Sequence, residues 1–362
     1  MAVARPEPGG PALSEEEIIR LAGALAAGGA GRSPGLSRGI GDDAAVLALS
    51  AGDYVVTTDL LVEGVHFDLG LMGAEDAGRR AMAANLSDLA AMGAWPRWGF
   101  LSLGLKAPAR SGLVEGLIRG LTALGEEHGL ALAGGDTVRA PQTLLNLCLI
   151  GAMQGVRPVL RSGARPGDAV CVTGVPGLSA GGLAWLLAGL ERPELLDDPL
   201  AAPLIQAHRR PAPRLAAGRA LAGSGLVTAM MDISDGIASD LARLALASGA
   251  GALVREAWLP PAPALTEAAR RLGADPQAQP LAWALAGGED FELLFTCAPE
   301  SVAGLSRLVA EAEPGLMVSR VGEMISGAGL FLEMADGRRR DIAFRGYDHF
   351  GHDQNPKGES PS

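Results

Sequence analysis

Six short acidic clusters, each beside Gly, Ser or Thr, hold most of the chemistry this chain can offer. They read GIGDD (39–43), TTD (57–59), NLSD (85–88), GGD (134–136), DISDG (232–236) and GGED (287–290). Hard oxygen ligands beside flexible backbone suit Mg²⁺ and phosphates held through Mg²⁺. Lysine is almost absent, with Lys106 and Lys357 the only two. Any phosphate handled here therefore falls to metal ions, arginine and backbone N–H groups.

Each cluster also has an ordinary reading. Asp42 and Asp43 follow Gly-Ile-Gly before an apolar run, as a turn would. Asn85 and Asp88 lie three apart in an apolar helical pattern and share a face. A carboxylate inside such a helix is costly unless paired or metal-bound, or the face is exposed. Gly134 and Gly135 let backbone approach a ligand and can form an anion nest. Ser234 could simply cap a helix, although two flanking Asp residues exceed what a cap needs. Taken together, these carboxylates recur without basic partners nearby in sequence, which predicts a cage for several Mg²⁺ ions. His66 reads as structural or catalytic, Arg161 as a surface residue or a bidentate phosphate contact. Tyr347 reads as part of a packed tail or as a ring stacked on a heteroaromatic substrate.

Several chemistries are excluded. Neither lysine precedes Ser or Thr in a G-x-x-x-x-G-K-[ST] run, and neither V-A-I-K nor H-R-D occurs. Both common phosphoryl-transfer architectures are thus absent. A formal charge of −11 and no basic stripe argue against nucleic acid. Bare carboxylates would also repel ATP, since two unit charges ~4 Å apart interact by about 4 kcal/mol at an effective dielectric near 20. Bridging divalent cations reverse that sign. Cys148, Cys171 and Cys297 are odd in number and far apart, as expected of free thiols in a reducing cytosol. The N-terminus has Pro and Glu where a signal peptide needs an apolar region, and no apolar run reaches the ~20 residues of a membrane span. A cytoplasmic protein is expected.

The elements that would position the clusters follow from periodicity. Ser14 with Glu17 forms a capping box and opens a helix after a disordered tail over 1–13. Strands are predicted over 44–49, 54–58, 100–105, 130–133 and 143–153, with helices over 73–92 and 111–128. A second unit begins near the Pro- and Gly-rich stretch 155–167, where strands and helices alternate to about 334. This predicts an α+β, two-domain (α/β) chain, with an N-terminal domain over 14–154, a C-terminal α/β domain over 155–350 and a tail over 351–362.

GIGDDAAVL, TTDLLVEGVHF, NLSDLAAMGA, GGDTVR, SGARPGD, MDISDGIASDL, GGEDFELLFT and GYDHF, in that order, resemble the thiamine-monophosphate kinases. That family belongs to the aminoimidazole-ribonucleotide synthetase superfamily, and the resemblance spans about 40–350. It implies phosphorylation of thiamine monophosphate to thiamine diphosphate, using ATP and several Mg²⁺. It implies an N-terminal sheet domain that forms a barrel with its twin in a homodimer, and a C-terminal α/β domain. By position, Asp43, Thr57, Thr58, Asp59, Asp88, Asp136, Asp232 and Asp235 match metal ligands, and Asp59, Asp88 and Asp136 are the catalytic candidates. Gly135, Asp136, Arg161 and Ser234 match nucleotide contacts; His66, Glu289 and Tyr347 match contacts to thiamine phosphate. Arg119 stands where the family often has an aromatic ring near adenine, and its planar guanidinium could stack there. Among sister enzymes, a selenophosphate synthetase would need an N-terminal reactive Cys, yet none precedes Cys148. The hydrogenase-maturation relative uses a C-terminal cysteine, whereas this sequence ends GESPS. A purine-pathway cyclase and a non-catalytic Mg-nucleotide-binding protein remain as alternatives.

Overall fold

A computed structural model of the chain describes residues 9–30, 34–41, 43–260 and 262–342. Helix α1 (Glu15–Ala30) opens with the expected reciprocal cap. Glu17 Oε2 accepts from Ser14 N and Ser14 Oγ, both at 2.8 Å, and Glu17 N donates to Ser14 Oγ at 3.4 Å. The short strands β1 (Leu36–Arg38) and β2 (Val46–Leu47) pair antiparallel. Then follow β3 (Tyr54–Val62), α2 (Ala74–Met92), β4 (Trp95–Leu105), α3 (Ser111–Glu127), β5 (Ala131–Arg139) and β6 (Leu144–Ala152). Strands β3, β6, β4 and β5 lie side by side in that order, antiparallel except for the β4–β5 pair.

Alternation along these strands sorts their residues between two faces. Leu145, Leu147 and Leu149 of β6 are fully buried on the helix-covered face. On the other face Val56, Leu60 and Val138 are 62%, 52% and 53% exposed. Helix α2 is the most enclosed element of this unit, packed on α3, β3 and β6. Two glycines permit that approach. A Cβ at Gly120 of α3 would stand 1.9 Å from the Glu75 carbonyl oxygen, and one at Gly78 would stand 2.0 Å from that of Leu117.

The second unit contains β7 (Ala169–Thr173), α4 (Leu178–Glu191), α5 (Ala201–Arg209), α6 (Leu215–Ser224), β8 (Val227–Ile233), α7 (Ile237–Ser248) and β9 (Gly251–Arg255). It continues with α8 (Pro263–Arg271), α9 (Ala278–Ala286), β10 (Glu292–Cys297), α10 (Val302–Ala312), β11 (Val318–Ile325), β12 (Leu330–Glu333) and β13 (Arg339–Asp341). Its sheet runs β13-β12-β9-β11-β7-β10-β8, with only β12 and β9 parallel. Residues of β7 and β10 are buried throughout, as expected for central strands covered on both faces. The fold is therefore α+β in two domains. Helix α2 also packs against α6 and β8 of the second unit. Arginines tie the two units to backbone: Arg219 Nη1 donates to Met153 O at 2.7 Å and to Gly93 O at 3.2 Å.

Several differences from expectation have local causes. Strand β4 starts at Trp95, five residues before the expected strand over 100–105, and a register break between Pro96 and Trp98 accommodates the proline. Strand β5 continues through GGD instead of ending before it. Stretch 191–203 reads as a loop, yet α5 begins at Ala201, with Pro203 in the first turn, where its missing N–H costs nothing. Residues 9–13, assigned to a tail, dock near α3: Leu13 N donates to Ala109 O at 2.8 Å and Ser111 N to Pro11 O at 2.9 Å. Among the described residues none of the three sheets closes on itself.

Candidate active site

A cleft of about 530 Å³ opens between the two units, lined by Asp59, His66, Asp88, Arg161, Asp232 and Glu289, with Ser234 and Asp235 beside them. Strand β3 delivers Thr57 and Asp59 to the face covered by α2. Thr57 Oγ1 donates to Asp88 Oδ2 in a short bond, and Asp59 N donates to Asn85 Oδ1 at 3.2 Å. Asn85 is fully buried and donates through Nδ2 to Ala81 O at 3.0 Å, so α2 itself orients it. On the C-terminal side Asp232, next to last in β8 and 3% exposed, accepts from Ser87 Oγ of α2 at 2.8 Å.

These carboxylates disturb one another. Burial pushes Asp59 up to about 6, and the nearby Asp88 charge adds to it. Burial likewise raises Asp88, while the Thr57 hydrogen bond and Arg161 pull the other way. Asp232 is raised by burial and then by Asp88. Asp88 is thus the shared neighbour of two acidic groups, a donor set that a divalent cation would relieve. Among the described residues no three His, Cys, Asp or Glu side chains converge closely enough to hold an ion by themselves. Magnesium needs no such cage: one or two carboxylates plus phosphate and water oxygens suffice. The residues fit Mg²⁺ on those terms.

The turn after β8 is organised by a buried acid. Asp240 accepts from Ser234 N and Asp235 N, both at 3.0 Å, and from Arg243 Nη1 at 2.8 Å. Ser234 is therefore not the helix cap; α7 starts behind Gly236, whose φ is +94°. Asp235 pairs with Arg243 at 2.5 Å. Facing this turn, the GGED tip is fastened by Glu289 N donating to Ser234 O at 2.8 Å and Phe291 N to Ile233 O at 3.0 Å. Glu289 and Phe291 both hold positive φ, 67° and 52°, a sparsely populated region for such residues. Between them Asp290 is buried and caps α4 from a distance, accepting from Gly177 N at 2.6 Å and Ser179 N at 3.0 Å.

A second cavity of about 680 Å³ has an apolar floor including Ile18, Ile118 and Leu132 and an acidic rim of Asp43 and Asp136. Gly135 lies here, and its lack of a side chain has a packing cause: a Cβ would stand 1.8 Å from the Leu101 carbonyl oxygen of β4.

Residues 41–156 match the family described as AIR synthase related protein, N-terminal domain, and 165–335 match its C-terminal domain. The thiamine-monophosphate kinase of Salmonella typhimurium is 41% identical over 313 residues, covering 86% of this chain and 91% of that protein. The chain belongs to the thiamine-monophosphate kinase family. Membership makes it a phosphotransferase. The solved thiamine-monophosphate kinase of Stenotrophomonas maltophilia superposes with a TM-score of 0.73 at 34% identity, covering 87% of this chain and 95% of that one. The structure described as AaThiL complexed with AMPPCP and TMP gives 0.71 at 32%, covering 87% and 93%.

The residues that suggested the thiamine-monophosphate kinase family divide into groups in space. Asp59, Asp88, Asp232, Asp235, Ser234, Arg161, His66 and Glu289 share the cleft, with Thr57 hydrogen-bonded to Asp88. Asp43, Gly135 and Asp136 line the second cavity instead. Asp136 aligns with Ser102, then Asn146, then Leu60 across the sheet. Three strand steps, about 14 Å, therefore separate it from β3. Thr58 turns to the open sheet face and donates to Asn146 Oδ1 at 3.1 Å, away from the cleft. Arg119 lines neither cavity and pairs with Glu115 on the α3 surface. Tyr347 and Asp42 lie outside the described residues. Sequence reasoning missed Arg80, which lines the cleft and pairs with Glu289. The available signal was its spacing of eight before Asp88, two helical steps along one face.

Proposed function

We propose that this chain transfers the γ-phosphate of ATP to thiamine monophosphate, giving thiamine diphosphate, directly and in line with the help of several Mg²⁺. The observation that carries the reading is the set of mutually disturbed carboxylates, Asp59, Asp88 and Asp232, facing Arg161 across an interdomain cleft. A relative solved with an ATP analogue and TMP supports the same pair of substrates. Bound Mg²⁺ would neutralise and bridge the phosphate oxygens of two polyanions that otherwise repel.

Asp59, Asp88 and Asp232 would hold the metal, with Thr57 fixing the Asp88 rotamer and Asn85 and Ser87 orienting the other two. Asp235 is a further metal ligand in this reading. Arg161, which draws Asp88 and Asp232 toward their charged forms, would meet phosphate. The apolar floor and acidic rim of the second cavity suit a nucleoside and its metal-bound phosphates, through Asp43, Gly135 and Asp136. His66 Nδ1 accepts from Val62 N at 3.1 Å, which leaves Nε2 carrying the proton of a neutral ring and able to donate. His66, Glu289 and Tyr347 would serve the thiamine end. The acceptor phosphate is already ionised at neutral pH, so no strong general base and no phosphoenzyme are required.

The exposed apolar face carrying Val56, Leu60 and Val138 suits a second copy of this chain, two open sheets closing into one barrel. Three unpaired cysteines accord with a cytoplasmic setting. Among the described residues no helix is long and apolar enough to cross a membrane. The test is incubation with γ-labelled ATP, Mg²⁺ and thiamine monophosphate. Label in thiamine diphosphate is expected; label retained on the protein, or nucleotide binding without transfer, overturns the reading.

A further inference from the structure

Helix α2 presents Arg80, Ala84 and Asp88 to the cleft, each four residues from the next. Asp88 stands at the carboxylate end. Arg80 lies about 12 Å along the axis from it, with Ala84 leaving open space between. Arg80 is fully buried, yet its guanidinium reaches across the domain junction twice: Nη2 pairs with Glu289 and Nη1 donates to His208 O. Neither its Nε nor its Nη2 makes a hydrogen bond, so the Glu289 contact is an ion pair and not a hydrogen bond. A guanidinium enclosed this way is costly, and stability alone would be served as well by apolar packing. The partner it fixes is no ordinary surface acid. Glu289 is one-third exposed, holds a positive φ, and has its backbone N–H bonded to Ser234 O. Next to it, a Cβ at Gly288 would stand 2.2 Å from that same Ser234 oxygen. Backbone and side chain of Glu289 are thus fixed by independent contacts, which is how a carboxylate is pre-organised for a ligand.

We infer that Arg80 is a positioning residue for the acceptor substrate: it sets the Glu289 carboxylate at one end of the cleft and leaves the nucleotide end unaffected. The inference rests on the proposed role of Glu289 at the thiamine end. Arg80→Met removes the pair and Arg80→Lys keeps the charge without the fork. Glu289→Gln and the Arg80→Met/Glu289→Gln double variant complete a cycle. Binding of thiamine monophosphate and of a non-hydrolysable ATP analogue is read by titration calorimetry, and KM for each substrate by turnover. Breaking a buried charge pair at a binding site predicts a rise of roughly 30-fold in acceptor Kd and KM for Arg80→Met. Nucleotide constants stay within about twofold. Arg80→Lys falls between wild type and Arg80→Met, and the double variant is no worse than Glu289→Gln by more than about twofold. Equal loss for both substrates, or a lowered melting temperature with unchanged acceptor constants, overturns the inference. Should Arg80→Met not fold, Arg80→Lys and Glu289→Gln decide it by the same substrate-specific pattern. A wild-type protein that does not bind thiamine monophosphate strikes the functional reading instead. Wild-type binding matched by both Arg80 variants strikes only this inference.

Discussion

Gly120→Ala should destabilise the protein although alanine is the better helix former. The added Cβ would stand 1.9 Å from the Glu75 carbonyl oxygen, 2.8 Å from the Glu75 carbonyl carbon and 2.9 Å from Arg79 N. All three are backbone atoms of α2, so no side chain can swing aside. Ordinary contact begins near 3.4 Å, so α2 and α3 must part by about 1.5 Å, losing dispersion contacts along the seam. Overpacking of this kind costs roughly 1–3 kcal/mol, and a backbone-on-backbone clash belongs at the upper end. Helix propensity returns about 1 kcal/mol. The net loss of about 2 kcal/mol lowers the melting temperature by about 2–3 °C in a chain of 362 residues. Gly223→Ala is the control, an exposed position on α6 with nothing within 4 Å of the added carbon. There the propensity gain stands alone, and the melting temperature rises by about 1–3 °C. Thermal melts followed by circular dichroism read both. A Gly120→Ala variant melting at or above wild type would refute the close-approach argument.

Three further outcomes are expected. His208 is buried beside Arg80 and Arg209, and burial first, then those charges, push it down to about 3. The unfolded chain therefore takes up a proton near pH 6.5 that the fold refuses, so stability present above that pH is lost below it, by up to about 1.4 kcal/mol per pH unit. His208→Gln should flatten the slope between pH 6 and 4 in denaturant titrations, and an unchanged slope would contradict it. Asp88→Asn should cut turnover by orders of magnitude at saturating Mg²⁺ without lowering the melting temperature of the metal-free protein, because Asn still accepts from Thr57 while one member of a repelling set is gone; near-native turnover would end the multi-metal reading. Wild type is expected to sediment as a dimer and Val56→Glu with Leu60→Glu as a monomer, since both side chains lie on the exposed sheet face; a dimer surviving both changes would place the interface elsewhere.

Much of the site was legible because glycine and acid together are a local signal. The TTD, NLSD and DISDG clusters needed only a strand end or a helix face to be placed, and the structure brings Asp59, Asp88 and Asp232 together. Asp136 illustrates the limit. Its strand was read as ending before GGD, whereas β5 runs through it at the far edge of the sheet from β3. Strand order is a long-range property that no local pattern encodes. Arg80 was missed for a related reason: beside Arg79 in an Ala-rich helix it looks like solvent-facing charge until the Glu289 tip is folded against it. Asp240 and Asp290 were likewise invisible as structural acids, because the backbone N–H groups they satisfy belong to other turns.

One consequence of α2 concerns length. The helix is held on one flank by Gly120 and on the other by Gly218, where a Cβ would stand 2.1 Å from the Ala90 carbonyl oxygen. It can neither slide along its axis nor roll without driving backbone into backbone. On the proposed roles, with the acceptor held near Arg80 and phosphate transferred near Asp88, the distance between recognition and reaction would be built into a rigid rod. An acceptor lacking its phosphate would stop short of the metal, and one already carrying two would overshoot. On that footing the protein would select by measuring, and changing which acceptor it takes would mean rebuilding the GGED tip rather than the helix.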